Sequence, residues 1–448
     1  MDTLFELPEE QPQKPAVPTR PEDARLVRPV RNQVELTPRD LDSVLPEDHI
    51  ARAIWAFLER LDLSAFYAEI KSVLSVPGRP ATDPQVLLAL WLMAIADGVG
   101  SARKLARLCN EHDAYRWIRG GVPVNYHMLS DFRVANQKAL DQLMTEILAS
   151  MMSAGLVTLR NVAQDGMRVR ASAGTASFRR EARLEKFLEE AREQVARLAK
   201  EREAPDPGMS RKQQAARERA ARERQDRLEE ALRNLPQVRA AKERKLKYGS
   251  KEQKERVTEP RVSTTDPEAR VMRMPDGGFR PAYNLQMATD VDSQVIVGVC
   301  ASRQGSDGGQ AVPMEQQVEN RAEKQPEAYS FDGGFAKLDD ITDLERRGIV
   351  VYAPARKPKA DKSGRMAGMP RSDDTPEVAG WRERMETEEA KRIYKERAAT
   401  AECVNAIGRA RGLIQLMVRG THKVQSVLLL MAITHNILRW ITLTNQQG

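Results

Sequence analysis

Between residues 177 and 258 the chain is dominated by Arg, Glu, Lys, Ala and Gln. These are residues that favour helix and leave few apolar side chains to build a sheet face. Leu184, Phe187, Leu188, Ala191, Val195 and Leu198 recur at the three-and-four spacing of a helical stripe. Pro205, Pro207 and Gly208 interrupt it, and a second charged helix is predicted from Ser210 to about Leu246. The segment therefore reads as a helical hairpin or coiled coil. Its charge suits either contact with a polyanion or a plain spacer, and the residues leave both open.

The sequence on either side has a different character. Residues 1–35 are rich in Pro, Glu and Arg and are expected to form a flexible arm. From 45 to 155 the patterns are helical throughout. Apolar residues run from Leu45 to Leu61 at helical spacing. Thr82-Asp83-Pro84 marks a helix start, Ser101 caps another, and Ser130 is read as opening a helix that reaches Met152. Val157, Leu159, Val162 and Ala163 read as a strand that Asp165 and Gly166 end. Beyond 258, strands are expected at 283–290 and 293–302 with a turn at Asp292-Ser293. A helix (309–323), a strand (327–332), a helix (336–347) and a strand (348–354) follow. Such alternation implies an α/β sheet. Residues 357–377 read as a flexible loop, and helix returns from about Ala379 to the end.

Among 448 residues, 30% are charged and the formal net charge is +7, a balance that favours polyanionic partners without specifying a fold. Three cysteines, Cys109, Cys300 and Cys403, stand far apart, and the five histidines show no ligand spacing. Neither a disulfide framework nor a zinc site is indicated, which suits a reducing cytoplasm. The N-terminus lacks the basic start and apolar run of a signal peptide. The apolar stretches beginning at Pro84 and at Val424 read as core helices rather than membrane spans.

Asp165 follows an apolar strand and precedes Gly166. Asp332 ends a strand and precedes Gly333, Gly334 and Phe335. Both fall at the carboxyl ends of predicted strands, where open α/β sheets place ligands, although an Asp before a Gly is also an ordinary turn residue. Tyr394, Arg397, Glu402 and Arg409 lie in one charged helical run. Glu402 and Arg409, nearly two turns apart, would share a face, so a carboxylate could meet a metal while a cation meets phosphate. A surface helix with internal ion pairs fits the same spacing.

Taken in order, these stretches resemble the DDE transposases of bacterial insertion sequences, in the branch with a long helical insertion. The resemblance covers nearly the whole chain. RPATDPQVLLALWLMAIADGVGSARKLARLCNEHDAYRWIRGGVPVNYHMLSDFR is similar to the family's N-terminal helical domain, AQDGMRVRASAG to its first-aspartate motif and SFDGGF to its second. YKERAATAECVNAIGRARG resembles the Tyr-Arg-Glu-Lys signature, with Arg409 in place of the lysine, Asn405 where an aromatic often stands, and one more residue than usual between Arg397 and Glu402.

The resemblance implies an α/β RNase H-like catalytic domain (156–176 and 259–448), an all-α DNA-binding domain (36–155) and an inserted helical hairpin (177–258). It implies that Asp165, Asp332 and Glu402 hold two Mg²⁺ ions, with Mn²⁺ able to substitute. Tyr394, Arg397, Arg409, Arg103, Lys104 and Arg133 are expected to contact DNA. The partners it implies are terminal inverted repeats, target DNA and a second copy of the chain, in the cytoplasm and away from membranes. An RNase H-like nuclease without strand transfer and a non-catalytic DNA-binding descendant remain alternatives.

Overall fold

The computed structural model describes residues 40–447, apart from 69, 71, 73–79, 202–208, 250, 256 and 356–368. The expected N-terminal arm, the break at Pro205, Pro207 and Gly208, and much of the loop expected over 357–377 lie outside the described residues.

The first part of the chain is helical: α1 (Ile50–Leu58), α2 (Ser64–Tyr67), α3 (Pro84–Ala96), α4 (Ala102–Glu111), α5 (Asp113–Arg119), α6 (Tyr126–Ala135) and α7 (Gln137–Ser153). Local chemistry sets the starts. Asp83 accepts the Gln85 N–H at 2.8 Å while Pro84 takes the first helical position, and Ser101 accepts the Lys104 N–H at 3.3 Å. The helix expected to start at Ser130 is instead two helices. Asn125 caps α6 by accepting from His127 and Met128, and Asn136 turns its amide back to the Phe132 carbonyl, so that α7 begins afresh at Gln137.

A mixed sheet follows. Its strands are β1 (Asn161–Arg170), β4 (Arg270–Arg273), β5 (Phe279–Asp290), β6 (Ile296–Ser302), β7 (Ala328–Phe331) and β8 (Val350–Tyr352); β2 (Phe178–Arg179) and β3 (Val262–Ser263) form a separate pair. The order is β4-β5-β1-β7-β8, with β6 sharing the far edge of β5 beside β4. β1 is antiparallel to β5 and parallel to β7. It does not end at Asp165 as expected. Gly166 to Arg170 stay in the ladder because they pair with Gln286 to Ala282, a partner more than a hundred residues away that local pattern cannot reveal.

Between β2 and β3 lie α8 (Glu181–Glu201), α9 (Arg211–Tyr248) and the short α10 (Lys251–Glu255). α8 and α9 run antiparallel: Glu181 pairs with Arg239 at 2.6 Å, and Arg192 pairs with Glu229 at 3.2 Å. Leu184, Leu188 and Ala191 bury against Leu228, Ala231 and Leu235, the stripe read from the sequence. The buried Asn234 of α9 joins the pair to the sheet region. Its Oδ1 accepts from Arg270 at 3.0 Å and Arg303 at 2.9 Å.

The helices α11 (Ala311–Ala322) and α12 (Leu338–Arg346) alternate with β7 and β8. They are followed by α13 (Pro376–Glu386), α14 (Glu388–Arg397), a π-helical turn over Ala398–Glu402, α15 (Cys403–Ala410) and α16 (Thr421–Gln447). α16 is long and apolar enough by composition to cross a membrane, yet it packs inside the molecule against α3, α7 and β6. Leu428 to Ile433 are buried, and Asn436 exchanges two hydrogen bonds with the Ile296 backbone. It is a core helix.

Candidate active site

β1 and β7 run parallel with Gln164 opposite Phe331, so the next residues, Asp165 and Asp332, come side by side on one face of the sheet. Asp165 sits mid-strand. Asp332 sits just past β7 in an Asp-Gly-Gly turn, where its Oδ1 accepts the Gly334 N–H at 2.7 Å and the Phe335 N–H at 3.3 Å.

The opposite face explains Gly166. A Cβ there would stand 2.5 Å from Asp307 Oδ1 and from Gln286 Nε2. Asp307 is held in place by Asn284 (2.6 Å), Gln286 (2.9 Å) and Arg168 (3.3 Å). This half-buried polar set supports the backbone directly beneath Asp165, and the sequence carried no signal of Asp307.

The π-turn and α15 cover the Asp165 face. Arg397, at the end of α14 and only 5% exposed, places Nη2 3.2 Å from Asp165 Oδ1 and Nη1 3.9 Å from Glu402 Oε1. The other Asp165 oxygen, Oδ2, accepts from Asn405 Nδ2 at 2.8 Å. Tyr394 stands within electrostatic reach of Arg397, Asp332, Glu402 and Asp165. Burial pushes the Asp165 carboxyl above its ordinary value, the Arg397 charge opposes this, and the nearby Asp332 adds to it. Burial likewise raises the Tyr394 hydroxyl. Asp165, Asp332, Glu402, Arg397 and Tyr394 thus form one neighbourhood.

The π-turn is what closes it. Arg397 and Glu402 are five residues apart, a separation that in a regular α-helix puts side chains about 140° apart. One extra residue absorbed as a π-turn realigns them. The sequence held this signal, in the one-residue lengthening between Arg397 and Glu402.

The expected cationic contacts divide. Arg103 and Lys104 are exposed on α4, where the Arg103 guanidinium lies 5.2 Å from the centre of the Tyr126 ring. Arg409 is exposed on α15. Arg133 must be corrected: it is 5% exposed, donates to the Gly100 carbonyl at 2.6 Å and lies 4.5 Å over the Trp91 ring. It holds helices together and presents no free charge to DNA. Arg397 too is engaged internally, with carboxylates.

Among the described residues, no three acidic, His or Cys side chains stand together at metal-ligating distance. The donor set nonetheless fits a hard cation in kind: carboxylate oxygens on three separate elements, two of which, Asp165 and Glu402, face the guanidinium of Arg397.

A transposase domain model (DUF772) matches residues 39–135, and a transposase DDE domain model matches residues 359–441. The two matches together support an insertion-sequence DDE transposase. The DDE match implies an RNase H-like fold, consistent with the mixed sheet, and the family depends in general on divalent metal. The segment matched to the DDE model contains Tyr394, Arg397, Glu402 and Asn405 of the transposase, whereas Asp165 and Asp332 lie outside both matched segments. Comparison with curated proteins and with solved structures gives no match.

Proposed function

We propose that this transposase binds the terminal inverted repeats of its insertion sequence and cuts and joins DNA strands with Asp165, Asp332 and Glu402. The observation that supports this reading is that Arg397 stands between Asp165 of β1 and Glu402 of the π-turn, while Asp332, at the end of β7, lies within electrostatic reach of Asp165 and Tyr394. The helix pair α8–α9, carried on the separate β2–β3 pair, is read as an insertion between β1 and β4 of the catalytic sheet. A second copy of the chain is expected because two element ends must be brought together, and the reaction belongs where the chromosome lies, in the cytoplasm.

Divalent cations held by these oxygens, Mg²⁺ or Mn²⁺, would supply the Lewis acidity that phosphodiester chemistry needs. The chain's own residues do the rest. Water adds to phosphorus as the bond to the 3′ oxygen breaks, leaving a 3′-OH and a 5′-phosphate. That 3′-OH then attacks a target phosphodiester, forming one P–O bond as another breaks and releasing the target 3′-OH. Asp165 and Asp332, fixed by strand register, set the geometry at the scissile phosphate. Arg397, Tyr394 and Arg409 border the path of the negatively charged backbone, and Arg103 and Lys104 on α4 supply salt-dependent affinity further out.

Asp332→Ala is expected to abolish cleavage of DNA bearing the element's ends while leaving end binding largely intact, measured by gel shift and product analysis. Cutting at the wild-type rate by this variant overturns the assignment. Strand transfer from a pre-cut end separates a transposase from a nuclease, which would cut and never join.

A further inference from the structure

Asn405 has no part in the reading above, yet it makes the shortest side-chain contact to Asp165: its Nδ2 donates to Oδ2 at 2.8 Å. The other Asp165 oxygen, Oδ1, takes the Gly166 N–H at 2.9 Å and faces Arg397 at 3.2 Å. The carboxylate is therefore gripped from two sides by groups of different kind. One is a neutral amide on α15, and the other is a cation at the end of α14.

Asn405 is 5% exposed, and its own Oδ1 is buried without a hydrogen-bond partner. A residue serving only as packing would not leave such an atom, because Leu fills a similar volume with no polar group to satisfy. The reverse amide orientation would set two acceptors face to face against an ionised Asp165, so the donor must point at the carboxylate. Arg397 is satisfied less well, since its buried Nε has no partner and its second ion-pair contact, to the exposed Glu402, is 3.9 Å long.

We propose that Asn405 is the positioning residue for Asp165, locking its rotamer through Oδ2 so that Oδ1 is presented to a divalent cation in the place where Arg397 now supplies the counter-charge. Resting on the carboxylate assignment above, it adds a role for a residue at the position where this signature often carries an aromatic. Groups that orient a metal ligand typically govern metal affinity about as strongly as a weak ligand does, at about 10–100-fold on loss. Here the orientation comes from an amide two positions into α15, so the helix following the π-turn, and not the sheet alone, sets the direction of Asp165.

The test compares the intact chain with Asn405→Leu, Asn405→Ala and Asp165→Asn, using Mn²⁺ binding by calorimetry, thermal melting, and cleavage of end-bearing DNA across a Mn²⁺ series. Asn405→Leu removes an orphaned acceptor but also strips Asp165 Oδ2 of its donor, so it is expected to melt near or a few degrees below the wild-type temperature while remaining folded. It should nonetheless bind Mn²⁺ about 10–100-fold more weakly, and cleavage should recover as Mn²⁺ is raised. If Asn405→Leu fails to fold, Asn405→Ala carries the same expectation for Mn²⁺. Wild-type Mn²⁺ binding in a folded Asn405 variant overturns the positioning role while a dead Asp165→Asn leaves the carboxylate assignment standing. Wild-type Mn²⁺ binding and cleavage by Asp165→Asn would instead overturn that assignment, and the inference with it.

Discussion

Deleting Ala399 is expected to leave the transposase active, although the deletion lies between two residues of its catalytic signature. In an α-helix, five residues of separation turn a side chain by about 500°, or about 140° away from its partner. Across the π-turn Ala398–Glu402, Arg397 Nη1 is nevertheless 3.9 Å from Glu402 Oε1. Removing the exposed Ala399 leaves four residues of separation, about 400° in plain α-helix, which keeps the pair within about 40° of a common face. Inserting one alanine at the same point does the opposite. It makes the turn about 600°, about 120° off, and adds about 1.5 Å along the axis. Displacements of about 1 Å can cost about 10²-fold in rate, so the insertion variant is expected to lose at least that, and the deletion variant less than about tenfold. Both would be assayed by single-turnover cleavage of end-bearing DNA beside Glu402→Ala. A deletion variant that melts like wild type but is as inactive as Glu402→Ala refutes the view that the π-turn only restores alignment.

Gly166→Ala forces a methyl to within 2.5 Å of Asp307 Oδ1 and Gln286 Nε2; it is expected to cost about 1–3 kcal/mol in urea unfolding and to lower cleavage as Asp165 shifts, and a neutral result would mean the polar set beneath β1 is loose. Asn234→Leu removes the acceptor shared by Arg270 and Arg303; a loss of about 1–3 kcal/mol and faster amide exchange in α9 are expected, and unchanged exchange would show that the helix pair is held elsewhere. His435 is neutral in the folded state because burial lowers its pKa to about 4. Its contribution is complete above the unfolded value near 6.5 and is lost as pH falls toward 4, about 3 kcal/mol at most, so His435→Gln is expected to flatten the pH dependence of unfolding in that window. An unchanged slope would refute it.

The strands from 283 to 354 were legible because each buries its own apolar residues and is bounded by turn residues, so periodicity alone located them. β1 was half legible: Val162 and Ala163 carry the pattern, but the half beyond Asp165 includes Gly166 and Arg168, whose place in the sheet depends on β5. The break at Asn136 was hidden because residues on both sides keep helical periodicity; only the Asn side chain bonding back to Phe132 marks it. Arg133 misled for a related reason. Its charge is visible in the sequence, whereas the Trp91 ring and Gly100 carbonyl that enclose it come from α3 and the turn that follows it. Arg397 and Glu402 could be named from the signature, but their mutual distance follows from a π-turn whose only trace is a count of residues.

The two segments matched by transposase models, far apart in the sequence, meet at backbone level. Gly98, just after α3, and Gly412, just after α15, both have positive φ (70° and 95°), and a Cβ on Gly98 would stand 3.0 Å from the Ala410 carbonyl oxygen while one on Gly412 would stand 3.2 Å from that of Gly98. Neither position has room for a side chain, and glycine alone takes this conformation without strain. Trp91, Arg133, Arg411 and Met431 line a cleft beside the contact, so α3, α6, the end of α15 and α16 close around one point. α15 carries Asn405 and begins at the residue after Glu402. The helices that present Arg103 and Lys104 are therefore braced against the end of the helix whose Asn405 donates to Asp165. If DNA is drawn to those exposed cations, the Gly98–Gly412 contact is the backbone link between the helices that present them and the end of the helix that carries Asn405.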